Sequence, residues 1–214
     1  MQRHRLKIRL SGLTAALLLT FTAPAGAVAV ITDPVNDFIP SYTGRHRPDL
    51  DVVSVFATFD GVAFHIGATM AGPIDTSPAA GLLYVYGINR GNGANSFTSL
   101  GLPGVVFDSV VTMTGLGVTG GNVALPAGSA HISGASFQID IPLSSLPSLS
   151  GFTPLQYGFN LWPRDAQVAP GNAQISDFAP NATTFNADLP EPLSLSLFVS
   201  ALLGLGFVRR RAPR

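Results

Sequence analysis

The chain has no cysteine, one lysine (Lys7), one glutamate (Glu191) and one tryptophan (Trp162) in 214 residues. Without cysteine there are no disulfides, thiolate zinc sites or thiol nucleophiles, so the fold must be held by an ordinary hydrophobic core. Lys7 falls in a segment predicted below to be removed, which excludes Schiff-base and P-loop lysine chemistry from what remains. Charge of either sign is scarce: 11% of residues are charged and 46% are hydrophobic, with 12 Lys+Arg balancing 12 Asp+Glu.

That balance conceals a segregation. Arg3, Arg5, Lys7 and Arg9 open the chain and Arg209, Arg210, Arg211 and Arg214 close it. Between residues 28 and 189 only Arg45, Arg47, Arg90 and Arg164 oppose eleven Asp, so this stretch carries 4 − 11 = −7. Nucleic acid is excluded as a partner by that sign, because phosphate binding is carried by Lys and Arg. A domain of about 160 residues buries roughly 70% of its unfolded surface, enough for a core of its own.

The basic residues 3–9, an apolar stretch over 10–22 and Ala25-Gly26-Ala27 form the three parts of a secretory signal peptide, predicting cleavage after Ala27. At the other end Pro190-Glu191-Pro192 precedes residues 193–208, which carry no charge and are apolar on all faces of a helix. As a helix that segment spans about 24 Å, and flanking residues with a snorkelling Arg209 extend it towards a membrane span. The terminal arginines predict a cytoplasmic end, leaving the domain outside.

Pro190-Glu191-Pro192, the small-residue-rich apolar helix and Arg209-Arg210-Arg211 in this order resemble the PEP-CTERM sorting signal. The resemblance implies recognition by an exosortase in a Gram-negative bacterium, after passage through the secretion machinery and signal peptidase. It further implies a transient inner-membrane anchor and delivery to the cell surface or the exopolysaccharide matrix. Leu193-Ser194 stands where Ala-Ser or Ala-Thr is more usual. The organisation predicted is a signal peptide (1–27), a central domain (28–186) and a sorting signal (187–214).

The central stretch is rich in Gly and Pro, with short Val/Ile/Phe/Thr runs at regular spacing and no sustained helical period. This predicts an all-β antiparallel β-sandwich of about seven to nine strands between the signal helix and the transmembrane helix. Strands are expected at 50–59, 62–69, 82–88, 104–113, 117–123, 136–141 and 157–162. Asp60-Gly61 predicts a tight type I′ hairpin, and 89–103 a long surface loop. Asp33-Pro34-Val35-Asn36-Asp37, Pro48-Asp49-Leu50-Asp51 with the strand after it, and the run from Tyr157 to Arg164 also resemble glucodextranase-like and DOMON-like extracellular β-sandwich modules. Phe38-Ile39-Pro40 replaces the further Asp, Asn and Gly usual there.

Asp33, Asn36, Asp37, Asp49 and Asp51 offer oxygen ligands from two neighbouring segments, the donor chemistry of Ca²⁺. The same residues serve equally as turn and Asx-cap formers, and Arg45 and Arg47 lie between them as neutralising partners. Tyr84, Tyr86 and Trp162 are the candidate sugar platforms, against a role in the core. His46, His65 and His131 accompany no nucleophile motif. Three functions follow in order: a non-catalytic matrix or surface protein, a carbohydrate-binding module contacting exopolysaccharide, and an Asp-dependent hydrolase.

Overall fold

A computed structural model describes residues 28–189. The expected signal peptide with Ala25 and Ala27, the Pro190-Glu191-Pro192 motif, the apolar stretch expected to form a helix and the basic tail lie outside the described residues.

The described chain is all-β: two antiparallel five-stranded sheets pack face to face, joined by loops and short 3-10 turns. The first sheet has the order β1 (Ile31–Thr32), β2 (Val52–Phe59), β3 (Ala63–Met70), β8 (Ser136–Pro142), β7 (Ala130–Ser133). The second has the order β10 (Phe185–Asn186), β9 (Gly158–Asp165), β4 (Leu82–Asn89), β5 (Ser109–Thr114), β6 (Gly117–Gly121). No helix among the described residues is long and apolar enough to cross a membrane.

Alternation explains the strands. In β8, Phe137, Ile139 and Ile141 point inward and Ser136, Gln138 and Asp140 outward, until Pro142 removes the next ladder donor. The inward residues of both sheets meet in aromatic contacts, with Tyr84 5.5 Å from Phe137 and Phe64 5.5 Å from Phe159 between ring centroids. Each fully buried ring contributes about 1.5–3 kcal/mol of transfer free energy. Three core tyrosines satisfy their hydroxyls within the protein: Tyr84 donates to Asp49 O, Tyr86 to Gly67 O and Tyr157 to Leu146 O.

β4 and β9 are buried on both faces. Loops cover the outer face of their sheet with a second apolar cluster in which Phe97 and Phe178 pack around Trp162 and Val85. The long loop after β4 is thus more than a surface excursion, since Phe97 anchors it edge-on to Trp162.

Four expectations need correction. Among the described residues the sheets hold ten strands rather than seven to nine, because β1, β7 and β10 are short strands defined by pairing. Tyr84, Tyr86 and Trp162 are 0%, 0% and 2% exposed, so none of them can be a sugar platform. The Asp60-Gly61 turn is not type I′: only Gly61 has positive φ, and Asp60 Oδ1 instead accepts the Val62 and Ala63 N–H groups. The strand expected at 104–113 begins at Ser109, because Gly104 and Phe107 make isolated bridges to Thr183 and Ala94.

Candidate metal centre

Four carboxylates converge where β1 ends and β2 begins. Asp33 leaves β1 with its N–H on Val53 O. The chain then reverses through Asn36, which takes the left-handed conformation (φ 65°) that Asn tolerates, bringing Asp37 back towards Asp33. Asp51 follows the 3-10 turn Pro48–Leu50 and accepts the Asn36 N–H on both oxygens, at 3.1 and 3.0 Å. The fourth, Asp177, comes from the loop after β9. It is fully buried and accepts Val52 N–H at 2.9 Å and Phe178 N–H at 2.7 Å.

Asp33, Asp37 and Asp177 each place a carboxylate oxygen within 4.8 Å of the other two, and among the described residues no other His, Cys, Asp or Glu set of three does so. Asp37 Oδ2 accepts the Asn181 side-chain amide at 2.8 Å. Asp33 Oδ2 and Asp37 Oδ1 are buried without a hydrogen-bond partner among the described residues. A buried acceptor left unpaired costs about 1–3 kcal/mol, more for a charged group, so two in one cluster of acids call for a counter-charge.

The electrostatics agree. Burial, then the charges of Asp37 and Asp51, push the Asp33 carboxyl up to about 7. Burial, with the charges of Asp33 and Asp37 added and the Val52 and Phe178 N–H groups opposing, pushes Asp177 up to about 8. Asp51 is also raised, by burial first and Asp37 after it, against the Asn36 N–H. Like charges out of water resist joint ionisation. A divalent cation reverses that preference, and an all-carboxylate set with no imidazole or thiolate suits Ca²⁺ rather than a softer metal. Asp37 and Asn181 also line a cleft of about 420 Å³.

Of the five residues expected to form a calcium site, Asp33 and Asp37 enter the trio. Asp51 and Asn36 flank it, bonded to one another. Asp49 does not belong. Arg47 holds it in a two-point ion pair, Nε to Oδ1 at 2.8 Å and Nη2 to Oδ2 at 2.7 Å, and the same guanidinium reaches Asp75. Arg47 neutralises Asp49, and among the described residues the hydrogen-bond and ion-pair network brings no cationic side chain to the trio. Asp177 escapes sequence reasoning because it lies 125 positions from its partner Val52, with no local spacing to reveal it.

The other titratable groups among the described residues form no nucleophilic constellation. His65 Nδ1 is 2.8 Å from Asp140 Oδ1 and its Nε2 is 3.3 Å from Asp60, so both ring nitrogens face carboxylates. His46 stacks on Phe38 at 4.2 Å. Asp177 has no exposed surface and both its oxygens hold backbone N–H groups, so a glycosidic oxygen has no route to it. No protein-family model matches the chain, and no curated protein matches it.

Proposed function

We propose that the chain is an exported, non-catalytic protein of the cell surface or extracellular matrix, sorted by an exosortase, whose β-sandwich holds one calcium ion. The observation that carries the cation is the Asp33, Asp37 and Asp177 trio with its two buried, partnerless oxygens. The ion would tie the segment after β1 to the loop after β9, two parts of the chain that no disulfide can join. Extracellular calcium modules bind at dissociation constants of about 10⁻⁴–10⁻³ M, which fits a site that fills only after export.

The address is supported by the two basic, apolar ends of the sequence. Once they are removed, a domain of −7 remains that repels anionic polymers unless a divalent cation intervenes. Intact mass of the extracellular form tests the sorting. The expected chain begins at Val28 and lacks Arg209-Arg210-Arg211; a released protein retaining Met1 or those arginines would contradict the proposal.

A further inference from the structure

The two outer faces of the sandwich differ. Loops bury that of the β10-β9-β4-β5-β6 sheet, packing Phe97 and Phe178 over Trp162. The outer face of the β1-β2-β3-β8-β7 sheet is left partly open. Register lines up one rung of hydroxyls across all five of its strands: Thr32, Ser54, Thr69, Ser136 and Ser133. With strands about 4.8 Å apart, this is a regular row of hydroxyls, two of which, Thr69 Oγ1 and Ser136 Oγ, bond to one another at 3.0 Å. The adjacent rung reads Phe56, Gly67, Gln138, His131.

Gly67 lets the Phe56 ring lie along the sheet. A Cβ there would meet ring carbons Cε1 and Cζ at 2.6 and 2.7 Å. Two hollows of about 440 and 280 Å³ share Phe56, Ser136, Phe137 and Gln138, so the partly buried Phe56 ring lines both. No Lys or Arg lines either hollow. The nearby carboxylate of Asp140 is engaged by His65, His131 and Gln138.

We propose that this face binds a neutral polysaccharide chain, with a sugar ring stacked on Phe56 and its hydroxyls bonded to the Ser/Thr rung, Gln138 and His131. A pyranose presents an apolar C–H face rimmed by hydroxyls, the complement of an aromatic ring bordered by hydroxyl and amide groups. An anionic chain would find no Lys or Arg in either hollow and would meet the carboxylates of Asp60 and Asp140, which His65 and His131 already engage. Around the ring the hollows are also lined by Val28, Val30, Ala68, Ile132 and Phe137, apolar surface against which the C–H face of a sugar can pack. The proposal shares no residue with the metal centre and does not rest on it.

Affinity electrophoresis of the exported protein tests it, in native gels containing hydroxyethyl cellulose, dextran or alginate, each with and without chelator. The expected result is retardation by a neutral polymer that persists in chelator. Phe56→Ala should weaken it about tenfold, roughly 1.4 kcal/mol, and Gln138→Ala and His131→Ala, which leave the core intact, each several-fold. Four results would overturn the proposal: no retardation by either neutral polymer, retardation by alginate alone, retardation undiminished in Gln138→Ala and His131→Ala, or a mobility shift from self-association without polymer. Loss of calcium binding with neutral-polymer retardation intact would count against the metal centre only.

Discussion

Replacing Asp33 by Asn should stabilise the calcium-free protein and abolish its response to calcium. Raising a carboxyl from its ordinary 3.8 to about 7 corresponds to about 4 kcal/mol at full burial. Asp33 keeps some contact with solvent, which reduces the cost of its charge to about 2 kcal/mol. At pH 8 wild type bears that cost in the folded state and the Asp33→Asn variant bears none. A domain of this size gains about 2–4 °C in Tm per kcal/mol, so the calcium-free variant should melt roughly 4–8 °C higher. At pH 5, where Asp33 is protonated in the fold, the gap should shrink below about 1 kcal/mol. Calcium at about a hundred times its Kd stabilises wild type by about 2.7 kcal/mol and should leave the variant unmoved. Thermal melts of both proteins at both pH values, in chelator and in calcium, are the assay. A variant less stable than wild type in chelator at pH 8, or one that still rises with calcium, would refute the reasoning.

Other consequences are open to the same instruments. In chelator, stability should fall as pH rises from about 4 to about 8, because Asp33 and Asp177 bind more protons folded than unfolded in that window. His65 acts in the same direction. Burial pulls it down, but Asp140 and Asp60 outweigh burial and hold it above its ordinary value, so its contribution is complete below about 6.5 and lost above its raised value. Excess calcium should flatten the carboxylate part of this decline, and a calcium-free protein most stable at pH 8 would contradict the cluster's electrostatics. Asp49→Asn should lower Tm, since it breaks the pair with Arg47, yet keep the full calcium shift; loss of that shift would return Asp49 to the site. Gly87→Ala should cost about 1–3 kcal/mol by overpacking, because its Cβ would run into the Trp162 ring, while Gly120→Ala, with open space around it, should be close to neutral in denaturant unfolding.

The all-β class and most strands are legible in the sequence because alternation is a local signal, as in Phe137, Ile139 and Ile141 of β8. β1 and β10, two residues each, and the short β7 carry no such signal, and pairing alone defines them. Tyr84 and Tyr86 show the same limit. Their spacing places both on one face of β4, but which face looks inward is decided by the sheet across the core. Two of the trio's three carboxylates, Asp33 and Asp37, are readable, since acids around a turn are local chemistry. Asp177 arrives through tertiary closure, and Asp49 is lost to a bidentate arginine that sequence spacing does not distinguish from a flexible neighbour.

Calorimetric titration of the chelator-treated exported protein with calcium at pH 8 tests the central claim most directly. One ion bound per chain with a Kd of about 10⁻⁴ M, and none in Asp37→Asn or Asp33→Asn, is the predicted result. Saturable binding that survives both substitutions, or no binding by wild type at millimolar calcium, would contradict it.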